Sequence, residues 1–263
     1  MRTAADRDSA LHNATTTHIS LLGGFEVIVD GRTVEATNWT RRNAASLVKL
    51  LALTPGHRMH REQVIDALWP DLDMDRAAPR LHKAAHYART AFGHRHAVVL
   101  DGDTVRLYPR GDVRIDWSRF QQHAESAIAD GGVAAAKAAL ALYGGELLPH
   151  DLYEPWAEQA RLHLGRLHTE LLHQARDWHQ ILLTDPTDEQ AHLALAERHL
   201  DRGDRAAALK QIDQLDAVLD LELGLGPSGR SKALRQRIAH GVPDRTCCPD
   251  TSRASSECAN VLV

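Results

Sequence analysis

RAAPRLHKAAHYARTAFGHRHAVVLDGDTVRL, residues 76–107, changes its periodicity once, and that change decides the fold. From Arg76 to Phe92 the apolar residues Leu81, Ala84, Ala85, Ala88 and Phe92 recur at spacings of three and four, the stripe of an amphipathic helix. Gly93 stands where such a helix ends in a left-handed residue. Val98-Val99-Leu100 and Thr104-Val105-Arg106-Leu107 then flank Asp101-Gly102, a short-range hairpin signal.

Working outward, two more helices precede this one. Ala44, Leu47, Val48, Leu50, Leu51 and Leu53 share a face that ends at Pro55-Gly56. Val64, Ile65, Leu68 and Trp69 give a second helix from Arg61 that stops before Pro70. Before them, Ile19 and Leu21, then Phe25, Val27 and Val29, alternate at period two, and Asp30-Gly31 leads into Arg32-Thr33-Val34. Three or four short strands are expected before Ala36. Strands, three helices and a hairpin within 18–115 make the order of a winged helix-turn-helix, which seats its third helix in a DNA major groove.

From Trp117 to His240 the pattern is helical, with segments expected near 117–129, 133–143, 155–183, 187–201, 204–222 and 228–239. Ala191, Leu195, Gly203, Ala208 and Ile212 sit at the offsets of a tetratricopeptide-like (TPR-like) unit, and Phe120, Ala124, Gly131, Ala136 and Leu140 form a looser copy. The expected fold class is therefore mainly α with small β elements. An N-terminal winged helix-turn-helix is followed by an all-α TPR-like helical repeat domain over 116–240. Residues 1–17 and 241–263 have no period and read as a disordered arm and a disordered tail.

The chain has 263 residues, 43% hydrophobic and 25% charged, with a net charge of −4, a globular composition. No apolar run reaches the ~20 residues of a membrane span, and the opening residues lack the apolar core of a secretory signal. Cys247, Cys248 and Cys258 all fall in the tail, so the body has no disulfide framework, as in a cytoplasmic protein. The mild acidity averages two unlike halves. Residues 18–115 carry 14 Lys/Arg against 11 Asp/Glu, and 116–241 carry 13 against 19. The basic half suits a polyanionic partner.

On a helical wheel Arg76, Arg80, Lys83 and Tyr87 cluster roughly 200–260° from the apolar stripe, at 100° per residue. That side can meet phosphates and base edges, although any surface helix has a solvated face. His82, His86 and Arg89 lie on the other flank. Arg106 on the wing, with Arg110 and Arg114 beyond it, and Arg41 and Arg42 at the start of the first helix, are candidate backbone contacts. Asp71, Asp73 and Asp75 precede the third helix and suit capping of its N-terminus.

Taken together, ISLLGGFEVIVDG (19–31), RRNAASLVKLLAL (41–53), HREQVIDALWP (60–70) and RLHKAAHYARTAFG (80–93) resemble the OmpR/PhoB-like winged helix of SARP-type bacterial activators. LLPHDLYEPWAEQAR (147–161), LHTELLHQA (167–175) and the run from Asp185 to Ser228 resemble their bacterial transcriptional activator domain, BTAD. The resemblance spans 18–240. It implies binding to double-stranded DNA at promoter repeats, as a homodimer or on tandem sites, with recruitment of RNA polymerase. It also implies neither catalysis nor a cofactor. Leu81 and Phe92 match core positions of the family's recognition helix, Arg89 matches a basic one, and Lys83 and Tyr87 match outward ones. Tyr87 and Thr90 stand where the family is often more basic.

Rival chemistries have little support. Gly224 to Ser231 looks like a phosphate loop but has Arg230 in place of Lys, follows a helix and contains Pro227. His82 and His86 lack a third ligand and the Glu of a zinc-protease helix. A TPR-like adaptor or signal receptor with a degenerate winged helix remains the alternative.

Overall fold

A computed structural model describes residues 16–109 and 111–240. Arg110, the arm before Thr16 and the cysteine-containing tail lie outside the described residues. The chain divides into two compact units, with the boundary in sequence between Asp177 and Trp178.

The first unit opens with β1 (Thr16–Ser20), β2 (Glu26–Val29) and β3 (Arg32–Thr33). Asp30 and Gly31 turn the β2–β3 hairpin with positive φ at both positions, as an Asp-Gly turn requires. β1 begins two residues ahead of the expected His18, because Thr17 pairs with Val29 on one side and Val113 on the other. A strand absent from the sequence reading, β7 (Asp112–Ile115), lies parallel to β1 and completes a sheet in the order β3-β2-β1-β7.

Three helices follow: α1 (Arg42–Leu53), α2 (Arg61–Leu68) and α3 (Met74–Phe92). Between α1 and α2 runs β4 (Arg58–His60), which pairs with the hairpin β5 (Val98–Asp101) and β6 (Thr104–Leu107) in a second sheet of order β4-β6-β5. Three residues are too few to display a period, so β4 was not legible in the sequence. α3 starts two residues before the expected Arg76. The Asp73 carboxylate accepts from the Arg76 amide at 3.0 Å and so caps the helix earlier. Pro79 is accommodated inside the helix at the loss of one backbone hydrogen bond.

α4 (Asp116–Asp130), α5 (Val133–Leu140) and α6 (Pro155–Ala175) share one core with the sheets and α1–α3. The expected division at 115–116 therefore falls inside the first unit. Asp116 carries much of this junction. Its carboxylate accepts from the amides of Leu21 at 2.9 Å, Leu22 at 3.0 Å and Trp117 at 2.7 Å. Burial pushes its carboxyl pKa up, while those amide donors favour the ionised form. The Trp117 indole N–H donates to the Ala52 carbonyl at the end of α1. Gly23 lies so close to Gly144 that an added Cβ would sit 2.4 Å from the Gly144 carbonyl oxygen. The Lys49 ammonium and the Asp151 carboxylate, both nearly buried, pair at 2.6 Å.

The single helix expected over 155–183 is two. Arg176 adopts a left-handed conformation with φ 57°, and α7 (Trp178–Thr184) begins the second unit. The apolar spacing through Ala175 and Trp178 hid this break, since three- and four-residue steps run straight across it. The second unit continues with α8 (Glu189–Asp201), α9 (Arg205–Leu223) and α10 (Gly229–His240). Ala196, Ala208, Ile212, Leu234 and Ile238 make its core. His192 is a satisfied buried histidine, with Nε2 3.0 Å from the Pro186 carbonyl and Nδ1 2.6 Å from the Gln211 amide nitrogen. The glycine-rich stretch after α9 is a helix connection. Gly224 ends α9 with φ 63°, and the Ser228 hydroxyl accepts from the Ser231 amide at 3.0 Å. Among the described residues no helix is long and apolar enough to cross a membrane.

Removing the Asp116 carboxylate strands buried amides. Asp116→Ala is expected to lower unfolding free energy by about 2–4 kcal/mol, with Asp116→Asn losing less, in urea titrations. Burial lowers the pKa of His57, against backbone hydrogen bonds at Leu51 and Thr54, and lowers that of His168, which stacks on Tyr143 at 4.0 Å. The unfolded chain therefore binds these protons first. Their contribution is complete above the ordinary histidine value of 6.5 and is lost as pH falls below it. The melting temperature should drop between pH 7.5 and 5.5, and His57→Gln with His168→Gln should flatten that slope.

Candidate nucleic-acid interface

α3 is an amphipathic helix held from behind. Ala77, Leu81, Ala84, Ala85, Ala88, Ala91 and Phe92 are buried. Its C-terminal end is clamped by rings: Phe92 meets Trp39 at 5.6 Å and Tyr108 at 5.2 Å, and Trp39 meets Phe25 at 5.0 Å. Gly93 closes the helix in the left-handed conformation that the sequence anticipates. With its back fixed in this way, the opposite face has little rotational freedom.

That face presents Arg76, Arg80 and Lys83 to solvent. Arg76 lies 3.9 Å from Asp73, a long contact between exposed groups. Arg80 and Lys83 have no ion pair with any described residue. Exposed cations without a partner keep their full charge available to a polyanion. Tyr87 is half-buried beside them, and the Arg41 guanidinium sits over its ring at 5.5 Å, which joins the start of α1 to the same surface. α1 has no side-chain cap and no acidic residue in its first turn.

The other expected contacts are differently placed. Arg89 is half-buried, and its Nε donates to the Val98 carbonyl at 2.7 Å, fastening α3 to β5. Arg42 is exposed but pairs with Glu154 at 2.7 Å. Arg106 lies 3.6 Å from Asp101 across the hairpin. It also stands directly opposite Arg58 of β4, so two guanidinium groups share one stretch of sheet. Like charges in facing positions disfavour the pairing, which makes this pair costly without an anion nearby. Arg61, at the start of α2, places a guanidinium nitrogen 3.5 Å from His82 Nε2 of α3. Sequence reasoning did not single out Arg58 because β4 was not visible, nor Arg61, which it read only as the start of α2; two arginines between Pro55-Gly56 and that helix were the available signal.

A three-helix unit with a β-hairpin wing, its third helix bearing unpaired cations and a helical region following it, is the architecture of a winged helix-turn-helix. Residues 115–239 match the family described as the bacterial transcriptional activator domain. That match places a domain of this family directly after the winged-helix region. Among solved structures it is similar to Mycobacterium tuberculosis EmbR in complex with a low-affinity phosphopeptide. That match has a TM-score of 0.64 at 18% identity and covers 87% of this chain and 66% of that one. The chain thus spans slightly less than two thirds of that relative. No curated protein matches it.

Arg89 is expected to act through position. Arg89→Ala should speed amide hydrogen exchange in Val98–Asp101 and cost about 1–2 kcal/mol of stability, with Arg89→Lys restoring only part of it.

Proposed function

We propose that the protein binds double-stranded DNA sequence-specifically through the outward face of α3 and acts as a transcriptional activator. The observation that carries this reading is the pairing of a fully packed rear face with exposed, unpartnered Arg80 and Lys83 on the front. Arg76 and Tyr87 flank them. Arg41 and Arg42 at the start of α1 and Arg106 on the wing position the phosphate backbone, and Arg89 serves by holding β5 in place. Phosphate contacts set register and orientation, while base edges in the major groove are read from Arg80, Lys83 and Tyr87.

The modest positive balance of the first half suits binding by two protomers on repeated sites, each adding a few phosphate contacts. The helical domain supplies protein contacts. Leu221, Leu223 and Leu225, close in sequence at the end of α9, and Leu183 of α7 are all exposed, and such leucines suit contact with RNA polymerase or another protein partner. The protein acts in the cytoplasm without catalysis or a cofactor.

Arg80→Ala combined with Lys83→Ala tests the reading by fluorescence anisotropy on a library of genomic fragments. The expected result is at least a tenfold loss of affinity, with the slope of log K against log salt shallower by about 1–2. Absence of wild-type binding at low salt would reject DNA as the ligand and favour the adaptor alternative.

A further inference from the structure

The strongest unassigned feature of the first unit lies away from α3 and the wing. A cavity of about 380 Å³ opens where β1 and β7 meet the first turns of α4, and neither α3 nor the β4-β6-β5 sheet lines it. This volume is near the lower end of the range of about 300–1,000 Å³ typical of small-molecule sites.

Strand alternation builds its wall. Thr17 and Ile19 of β1 point into the core, so His18 and Ser20 take the other face. β7 runs parallel to β1 in a register that places Arg114 beside His18. One and a bit helical turns beyond Ile115, α4 contributes Arg119 and Gln122 to the same opening. Val113 and Leu142 supply an apolar floor.

The electrostatics favour an anion. Arg119 is exposed and has no ion pair with a described residue. Arg114 is paired with Asp112 at 3.0 Å, but both side chains are solvent-exposed, so that pair exchanges readily for a better-placed anion. The acidic group in the wall, Asp116, is already engaged by the amides of Leu21, Leu22 and Trp117. Two guanidinium groups, an imidazole, the hydroxyls of Ser20 and Ser118 and an amide around an apolar floor match a small organic anion, a carboxylate or a phosphate monoester carrying a compact apolar body.

We propose that this cavity is a binding site for such an anion. Its walls come from the sheet that begins the winged-helix region and from the helix that begins the transcriptional activator domain. An occupant would brace the junction that Asp116 organises, which gives the regulator a means of responding to a metabolite. The site does not depend on the DNA-binding reading.

Isothermal titration of the full chain with benzoate and with phenyl phosphate tests it, with benzamide and inorganic phosphate as controls. Expected is saturable one-to-one binding of at least one organic anion. It should weaken tenfold or more in Arg114→Ala/Arg119→Ala, whose folding is checked by circular dichroism, and again in the single variant Arg119→Ala if the double variant fails to fold. Benzamide should bind at least tenfold more weakly than benzoate. The proposal is overturned if neither organic anion saturates, if the arginine variants bind as wild type does, or if benzamide matches benzoate. It is likewise overturned if inorganic phosphate binds as tightly as the organic anions, since the apolar floor would then contribute nothing.

Discussion

One half-buried carboxylate organises the first unit. Asp116 sits at the start of α4, yet it accepts from the amides that leave β1, 95 and 94 residues earlier in the chain. Without it, those part-buried amides would lose their partner, at a cost comparable to a lost hydrogen bond each. The same residue therefore fixes where the first strand ends and where the helical region begins. Around it, the Gly23–Gly144 approach and the nearly buried Lys49–Asp151 pair hold α1 and the sheet to the segment ahead of α6. The winged-helix region is thereby packed on α4–α6 through a common core.

That packing determines what α3 can present. Its alanine-rich rear face allows close approach to α1 and α2, and the ring cluster of Phe25, Trp39, Phe92 and Tyr108 fixes its C-terminal end. Arg89, tied to Val98, couples the helix to the hairpin. Helix and wing are thus held by groups that differ from those on the exposed face, so the two sets of residues separate by substitution.

Elements with a long period were legible in the sequence, and elements defined by distant partners were not. The stripe through Leu81, Ala84, Ala85, Ala88 and Phe92, the two Asp-Gly hairpins and the Gly93 helix end all follow from local chemistry. β4 and β7 are short strands that exist through pairing with β6 and β1, and nothing local announces them. The break at Arg176 escaped for the opposite reason, because its neighbours kept helical spacing across a left-handed residue. At the candidate site, the wheel separated the exposed Arg76, Arg80 and Lys83 from the core stripe. It could not distinguish a free cation from one with a partner, so the engagement of Arg42 by Glu154 and of Arg89 by Val98 emerged only in three dimensions. Arg58 stayed hidden with β4. The net charge of −4 gave no hint of this, since it sums regions of opposite sign.

The most direct test of the central claim is photo-cross-linking to a retarded genomic fragment from a photoreactive residue placed at Lys83, with one at the exposed Glu222 as reference. Cross-links from position 83 that map to a narrow register of bases, with few from position 222, are the expected result. Cross-links that form from position 222 while position 83 stays silent would contradict α3 as the DNA-reading surface.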